Sequence, residues 1–384
     1  MLKVDGLSIS ELQKRRSAKW SGYGDEVLPL PVAEMDFEIA ELIRKTLIEM
    51  LERSDTGYLG PVPELSINLA EFTKARWGWE IDQAQVFIAT DVGVGMVEMA
   101  RTIVSPGETI LINSPVYHNF YGWIRELKCT AVDVPLKVEN LNYSMDFAAI
   151  ESAYAAGVKL HFICSPHNPV GTIFSKAELS QLADLAKRYG VAIFSDEVHA
   201  PLAYNAPDFV PFLSVSETAR EVGICVTAAS KAWNLAGLKC ATIITQHQRW
   251  NQLALQMPES VHWRASLFGA VASAKAYECT EWLDAAIQTM DRNRHLLAKL
   301  LTEKLPDVGY RIPDFGYLAW LDFTNLNLGD DPTAFILENA KVALNSGQSF
   351  QASSNQFARL NFATSAEILT LAIDKIAAAV NSKK

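Results

Sequence analysis

The segment VAIFSDEVH (191–199) opens on apolar residues and closes on two acids and a histidine. The apolar run is short and lacks polar alternation, which fits a strand buried on both faces. A strand end is ordinarily tipped with polar residues for solvation, so Asp196, Glu197 and His199 alone carry no function. The neighbouring segments decide. VKLHFICSP (158–166) upstream and VGICVTA (222–228) downstream have the same texture. Between 158–166 and 191–197 lies a marked helix. Ser175 and Glu178 have capping-box spacing, Leu179, Leu182, Ala183, Leu185 and Ala186 form one apolar face, and Gly190 can stop it. QVFIATD (85–91), ETILINSP (108–115) and TAVDVPL (130–136) extend the series, and GVGMVEMARTIV (93–104) has helical spacing. Near-continuous apolar strands separated by helices predict an α/β fold with a mostly parallel sheet covered on both faces.

The bulk composition agrees. The chain has 384 residues, 49% hydrophobic and 20% charged, as in a packed globular protein. Its length suggests about two or three domains. The net charge of -10, without a block of like charge, argues against nucleic acid as a partner. Cys129, Cys164, Cys225, Cys240 and Cys279 are odd in number and form no CxxC pair. They predict reduced thiols in a reducing cytoplasm. No apolar run approaches ~18 residues, so no transmembrane helix is expected, and MLKVDGLSISELQKRR (1–16) lacks the apolar core of a signal peptide. His161, Cys164 and His167 would diverge along a strand and past its end, so no zinc site is expected there. From about residue 281 the texture changes. A long amphipathic helix (281–305) is followed by YRIPD (310–314), GYLAWLDF (316–323), a helix near 332–343, the strand FARLNFA (357–363) and a C-terminal helix. That predicts a separate α+β unit. The first 45 residues fit neither unit on pattern alone.

In open α/β sheets, ligands bind beyond the carboxyl ends of the strands. Those ends deliver Asp91, then Gly93, Val94 and Gly95 at a helix start; Tyr117 in SPVYHNF (114–120); and Asn168 in SPHNPVG (165–171). They also deliver Asp196 and His199, then Ser230, Lys231 and Lys239 in SKAWNLAGLK (230–239). Each has an ordinary explanation alone: glycine where a helix meets a sheet, a turn at Asn168-Pro169, a solvated lysine. Together they meet the demands of a flat, phosphorylated, zwitterionic ring, pyridoxal 5′-phosphate (PLP). A helix N-terminus would hold the phosphate. Tyr117 would stack on the ring, Asp196 would keep its nitrogen protonated, and Lys231 would form a Schiff base.

SPHNPVGTIF (165–174), SDEVHA (195–200) and SKAWNLAGLK resemble the fold-type I PLP enzymes, the aspartate aminotransferase superfamily. Within it they look most like the cystathionine β-lyase (C–S lyase) branch, MalY/PatB. VAEMDFEIA (32–40), TGYLGPVPEL (56–65) and RLNFA (359–363) extend the resemblance over almost the whole chain. It implies a large PLP-binding domain, 46–280, with a mostly parallel seven-stranded sheet, and a smaller α+β domain made of 281–384 with the N-terminal segment 1–45. It also implies roles. Lys231 is the Schiff-base lysine and, once freed, the base for the Cα proton. Asp196 is the pyridinium partner, and Asn168 and His199 address the ring O3′. Gly93, Val94, Ser230 and Lys239 contact the phosphate. Tyr58 reaches the phosphate of a neighbouring subunit, so the site would be shared across a homodimer. Arg359 takes the substrate α-carboxylate, where the Val32–Ala33 backbone closes over it, and Tyr117 and Asn168 also face substrate. Ala228 stands where many relatives have serine or threonine, and Lys239 where aminotransferases usually have arginine, a point charge in place of a fork. Val94 can offer only its backbone. These departures bear on the phosphate shell.

The same residues serve transamination and elimination, so residue types do not separate the two. The resemblance points to α,β-elimination on L-cystathionine or a related cysteine S-conjugate, giving a thiol, pyruvate and ammonia. An aminotransferase is the alternative, and a non-catalytic regulatory or binding protein on the same fold is a third reading. The leaving group would be set by loops such as 20–36 and 345–356.

Overall fold

The computed structural model describes residues 2–383. Its main sheet is built from β1 (Val86–Ala89), β2 (Thr109–Ile112), β3 (Thr130–Asp133), β4 (Leu160–Cys164), β5 (Ala192–Asp196), β6 (Gly223–Thr227) and β7 (Ala241–Ile244). The order across the sheet is β1-β7-β6-β5-β4-β2-β3. Neighbours are parallel except at β7, which runs antiparallel to both β1 and β6. β7 is the strand that the pattern reading passed over. No long helix intervenes between β6 and β7, only a loop with one short turn of helix at Ala236–Leu238. Without a crossover helix the chain returns antiparallel.

β4 and β5 are buried at every residue. Their alternate side chains enter opposite layers: Ile163 and Ile193 pack on one side, Phe162 and Phe194 on the other. The two phenyl rings stack with centroids 6.0 Å apart. Helix α1 (Val92–Ala100) is shorter than the predicted 93–104, because the chain tightens into turns on the Met99 and Ala100 carbonyls. Helix α2 (Lys176–Tyr189) has the predicted ends. Ser175 Oγ accepts the Glu178 N–H at 3.2 Å, the Glu178 carboxylate accepts the Ser175 N–H at 2.8 Å, and Gly190 is left-handed at φ 67°.

The C-terminal unit begins with helix α3 (Thr280–Lys304). Its sheet holds β8 (Gly309–Tyr310), β9 (Leu318–Asp322), β10 (Asn345–Ser346) and β11 (Phe357–Asn361), in the order β8-β9-β11-β10 and antiparallel throughout. The helix expected over 332–343 stops at Ala340: Lys341 turns left-handed (φ 55°), and Val342–Ala343 pairs in parallel with Leu28–Pro29. That pairing lays the N-terminal segment against the C-terminal unit. Thr289 of α3 donates to the Val4 carbonyl. At Gly6 a Cβ would fall 2.1 Å from the Ser365 nitrogen, so the approach needs glycine. The expected boundary at 45/46 lies inside the helix Glu41–Glu52, and the one at 280/281 at the start of α3. Among the described residues no helix is long and apolar enough to cross a membrane.

Candidate active site

The carboxyl ends of β4, β5 and β6 and the N-terminus of α1 open on one cleft of about 580 Å³. Val32 and Ala33 of the N-terminal segment and Arg359 of β11 line it from the other side. Gly93, Tyr117, Asn168, Asp196, His199, Ser230, Lys231 and Lys239 complete the set of expected residues that line it. Val94 and Tyr58 do not. Tyr58 stands 90% exposed on the surface.

Asp196 ends β5 and is 3% exposed. Its Oδ1 accepts the Val198 N–H at 3.2 Å, and among the described residues no cation forms an ion pair with it. Burial raises its pKa to about 7, against the Val198 N–H and the Lys231 charge, which favour the carboxylate. Glu197 takes the other direction because side chains alternate along the chain. It accepts from Ser195 Oγ at 2.9 Å and the Phe212 N–H at 2.8 Å, away from the cleft. The two acids of SDEVHA therefore separate into one cleft group and one core group.

Lys231 leaves the loop after β6, and its Nζ donates to the Ala33 carbonyl at 3.2 Å. Burial brings its pKa down to about 8, and the Arg359 charge pushes the same way. Arg359 sits on β11 opposite Trp320 and is 3% exposed. Nη1 donates to Asn168 Oδ1 at 3.1 Å and Nη2 to the Pro31 carbonyl at 3.0 Å, while Nε has no partner. The guanidinium lies 4.8 Å from the centre of the Phe350 ring. Burial lowers its pKa to about 10, so it stays cationic at neutral pH. No carboxylate of the described residues pairs with it. An unpaired guanidinium is costly to bury, so its unmet charge marks a seat for an anion. His199 is buried with Nδ1 unpartnered, and burial, then the Lys231 and Arg359 charges, pushes its pKa to about 3. It is a neutral imidazole.

The helix end of the cleft is less simple. Asp91 caps α1, its Oδ1 accepting the Val94 N–H at 2.9 Å, and its Oδ2 lies 3.2 Å from Lys239 Nζ. Two donors expected at a phosphate are thus engaged by one carboxylate. At Gly93 a Cβ would fall 2.9 Å from the Trp123 indole nitrogen, so glycine is required by the ring beside it. Ala228 lines the cleft without a hydroxyl, and Ser230 lines it with one. Tyr117 accepts from Asn119 Nδ2 at 2.7 Å, and its ring centre lies 5.9 Å from that of Trp123.

His118, Trp123 and Asn345 also line the cleft and were not singled out from the sequence. His118 and Trp123 neighbour Tyr117 in the chain, a signal that could have been used. Asn345, in β10, falls within 345–356, a stretch expected to set the leaving group, but has no signal of its own. The residues present fit PLP: an unpaired buried carboxylate, an unpaired buried guanidinium and an amine of lowered pKa share one cleft, with a helix N-terminus at its end.

The family model described as aminotransferase class I and II matches residues 25–376. Cystathionine beta-lyase from Corynebacterium glutamicum is 36% identical over 374 residues, covering 96% of this chain and 98% of its own. The crystal structure of cystalysin from Treponema denticola, which contains a pyridoxal 5′-phosphate cofactor, matches with a TM-score of 0.94 at 25% identity over 100% of both chains. The PLP-bound C–S lyase from Staphylococcus hominis matches with a TM-score of 0.89 at 26% identity over 98% of each chain.

Proposed function

The chain belongs to the aminotransferase class I and II family, and from its near-full-length similarity to a cystathionine beta-lyase within that family we infer that it is a PLP-dependent carbon–sulfur β-lyase. It acts on L-cystathionine or a related cysteine S-conjugate by α,β-elimination. The Cα proton and the Cβ–S bond are lost, the sulfur leaves as a thiol, and water converts the three-carbon remainder to pyruvate and ammonia. The carrying observation is near-full-length similarity to a cystathionine beta-lyase.

The cofactor, when bound, supplies an aldehyde that captures amines and a protonated ring that accepts electrons. The chain's own groups do the rest. Lys231 provides the amine, and burial, which lowers its pKa to about 8, enlarges the neutral fraction that can take the Cα proton. In the ligand-free site that amine donates to the Ala33 carbonyl. Asp196 keeps a proton on the ring nitrogen. Arg359 grips the α-carboxylate with the planar geometry that lysine lacks, and Asn168, already bonded to it, lies alongside. With the cofactor bound, Asn168 and His199 would address O3′, Tyr117 would stack on the ring, and Gly93, Ser230 and Lys239, with the Val94 N–H once Asp91 releases it, would hold the phosphate.

Tyr58 reaches the phosphate of a second copy of the chain, making the enzyme a homodimer. Its exposure outside the cleft of its own chain supports this reading. Residues 46–280 form the large domain, and 1–45 join 281–384 in the small one, which the pairing of Leu28–Pro29 with Val342–Ala343 supports. Five free cysteines suit a cytoplasmic protein.

The test is pyruvate formation by purified holoenzyme from L-cystathionine without added keto acid, with Lys231→Ala as the inactive control. Amino-group exchange that requires a keto acid, with no pyruvate, would make the enzyme an aminotransferase. Bound cofactor with neither reaction would leave a binding protein.

A further inference from the structure

Residues 31–37 follow the strand Leu28–Pro29 with no regular structure, yet side chains from elsewhere hold most of their carbonyls. Arg359 takes Pro31. Asn361 Nδ2 bridges Val32 and Glu34, at 2.6 Å each. Tyr317 and Lys231 take Ala33, at 3.1 and 3.2 Å. Arg15 takes Met35 and Phe37, at 2.9 and 2.8 Å. Asp36 is fully buried, ion-paired to the equally buried Lys19 at 2.8 Å and bonded to Trp20 Nε1 at 2.7 Å. This strap carries Val32 and Ala33 to the cleft.

Besides Lys231 itself, a second side chain of its loop joins the strap. Asn234 lies three residues after Lys231. Its Oδ1 accepts the Met35 N–H and its Nδ2 donates to the Met35 carbonyl, both at 2.9 Å. A side-chain amide thereby pairs with one residue's backbone as a neighbouring strand would. The backbone of Asn234 is left-handed (φ 60°), a conformation asparagine tolerates better than most residues. Only an amide on a side chain of this length completes both bonds.

We propose that Asn234 is a positioning residue. By clamping Met35 it holds the strap against the Lys231 loop, and so sets how tightly the cleft grips the amino-acid substrate. Releasing the strap frees Ala33 from Lys231 and Pro31 from Arg359, which loosens the carboxylate seat and leaves the proton-transferring amine in place. The inference rests on the lyase reading above.

Asn234→Gly tests it, because glycine keeps the left-handed backbone and removes the amide. In the holoenzyme, hydrogen exchange at the Met35 amide should accelerate. KM for L-cystathionine should rise roughly tenfold for two lost hydrogen bonds, while kcat stays within about threefold. Cofactor occupancy should match wild type. Asn234→Asp keeps an acceptor for the Met35 N–H and loses the donor, so its KM should fall between the two. An unchanged KM in Asn234→Gly overturns the proposal, as does a loss confined to thermal stability or cofactor content. If Asn234→Gly does not fold, a wild-type KM in Asn234→Asp overturns it instead. Wild-type protein that is inert on cystathionine defeats the lyase reading, whereas an active wild type with unperturbed Asn234→Gly kinetics defeats only this inference.

Discussion

Asp196 and Arg359 are opposite charges buried beside one cleft, each without an ion-pair partner among the described residues. For Asp196 the consequence is a pH signature. Its pKa in the fold is about 7, and an unfolded aspartate titrates near ~3.9. Between those values the folded chain keeps a proton that the unfolded chain has released, so this site's contribution to stability falls as pH rises through the window. The ligand-free wild type should therefore lose stability relative to Asp196→Asn on going from pH 4.5 to 7, by up to about 1.4 kcal/mol per pH unit. Denaturant unfolding of both proteins across that range measures it, and parallel stability curves would refute it. With cofactor bound, the same variant should lose most of its turnover, because an amide cannot hold the ring proton ionically. For Arg359 the signature is kinetic. Arg359→Lys should chiefly raise KM for every amino-acid substrate, and Arg359→Ala should lower kcat/KM by about a hundredfold or more, with cofactor affinity nearly unchanged. Loss confined to one leaving group would place the carboxylate elsewhere. Both residues were legible in the sequence, because each sits in a short motif at a strand. Asn234, within SKAWNLAGLK, carries no such signal, because its partner, Met35, is 199 positions away.

At the scale of elements, the N-terminus of α1 is the informative piece. Asp91 serves it as a cap and also pairs with Lys239, so a phosphate arriving there meets a carboxylate. Asparagine caps helices about as well as aspartate and carries no charge. Asp91→Asn should keep the fold and tighten PLP binding roughly fivefold, the scale of one charge interaction at a helix end. Fluorescence titration of the ligand-free protein with PLP reads the change. Unaltered or weaker binding would mean that Asp91 does not oppose the phosphate. Element boundaries show where local pattern runs out. α2 was readable to its caps because Ser175, Glu178 and Gly190 make their bonds within the helix's own turns. β7 was missed because CATIIT (240–245) is short and follows a loop with no helix to announce a new unit. The helix starting at Pro332 ended early because Val342–Ala343 pairs with a strand more than 300 residues away.

For the whole molecule, the exposure of Tyr58 bears on the proposed homodimer. Tyr58 is 90% exposed, as a residue completing a neighbouring subunit's site would be in one copy of the chain. Sedimentation should give a dimer, and Tyr58→Ala should weaken PLP retention by about tenfold, as for a lost charge-assisted contact. At a PLP concentration too low to load Tyr58→Ala alone, mixing and reassembling it with Lys231→Ala should give roughly a quarter of wild-type activity, since half of the dimers would then carry one intact site. An active monomer would contradict the shared site. The sequence by itself determined the fold class and the chemical inventory. Apolar strands, helix caps and strand-end motifs such as SPHNPVG and SKAWNLAGLK are written in adjacent residues, and together they point to the cofactor, though not to elimination over transamination. Only the tertiary structure decided that Glu197 turns to the core while Asp196 faces the cleft, that Asp91 occupies Val94 and Lys239, and that Lys19, Arg15, Asn234 and Asn361 converge on the strap 31–37. The strap's contacts join residues that are distant in the chain, and hydrogen bonds of that kind leave no period or spacing to read. They exist only once the two ends of the molecule have packed together.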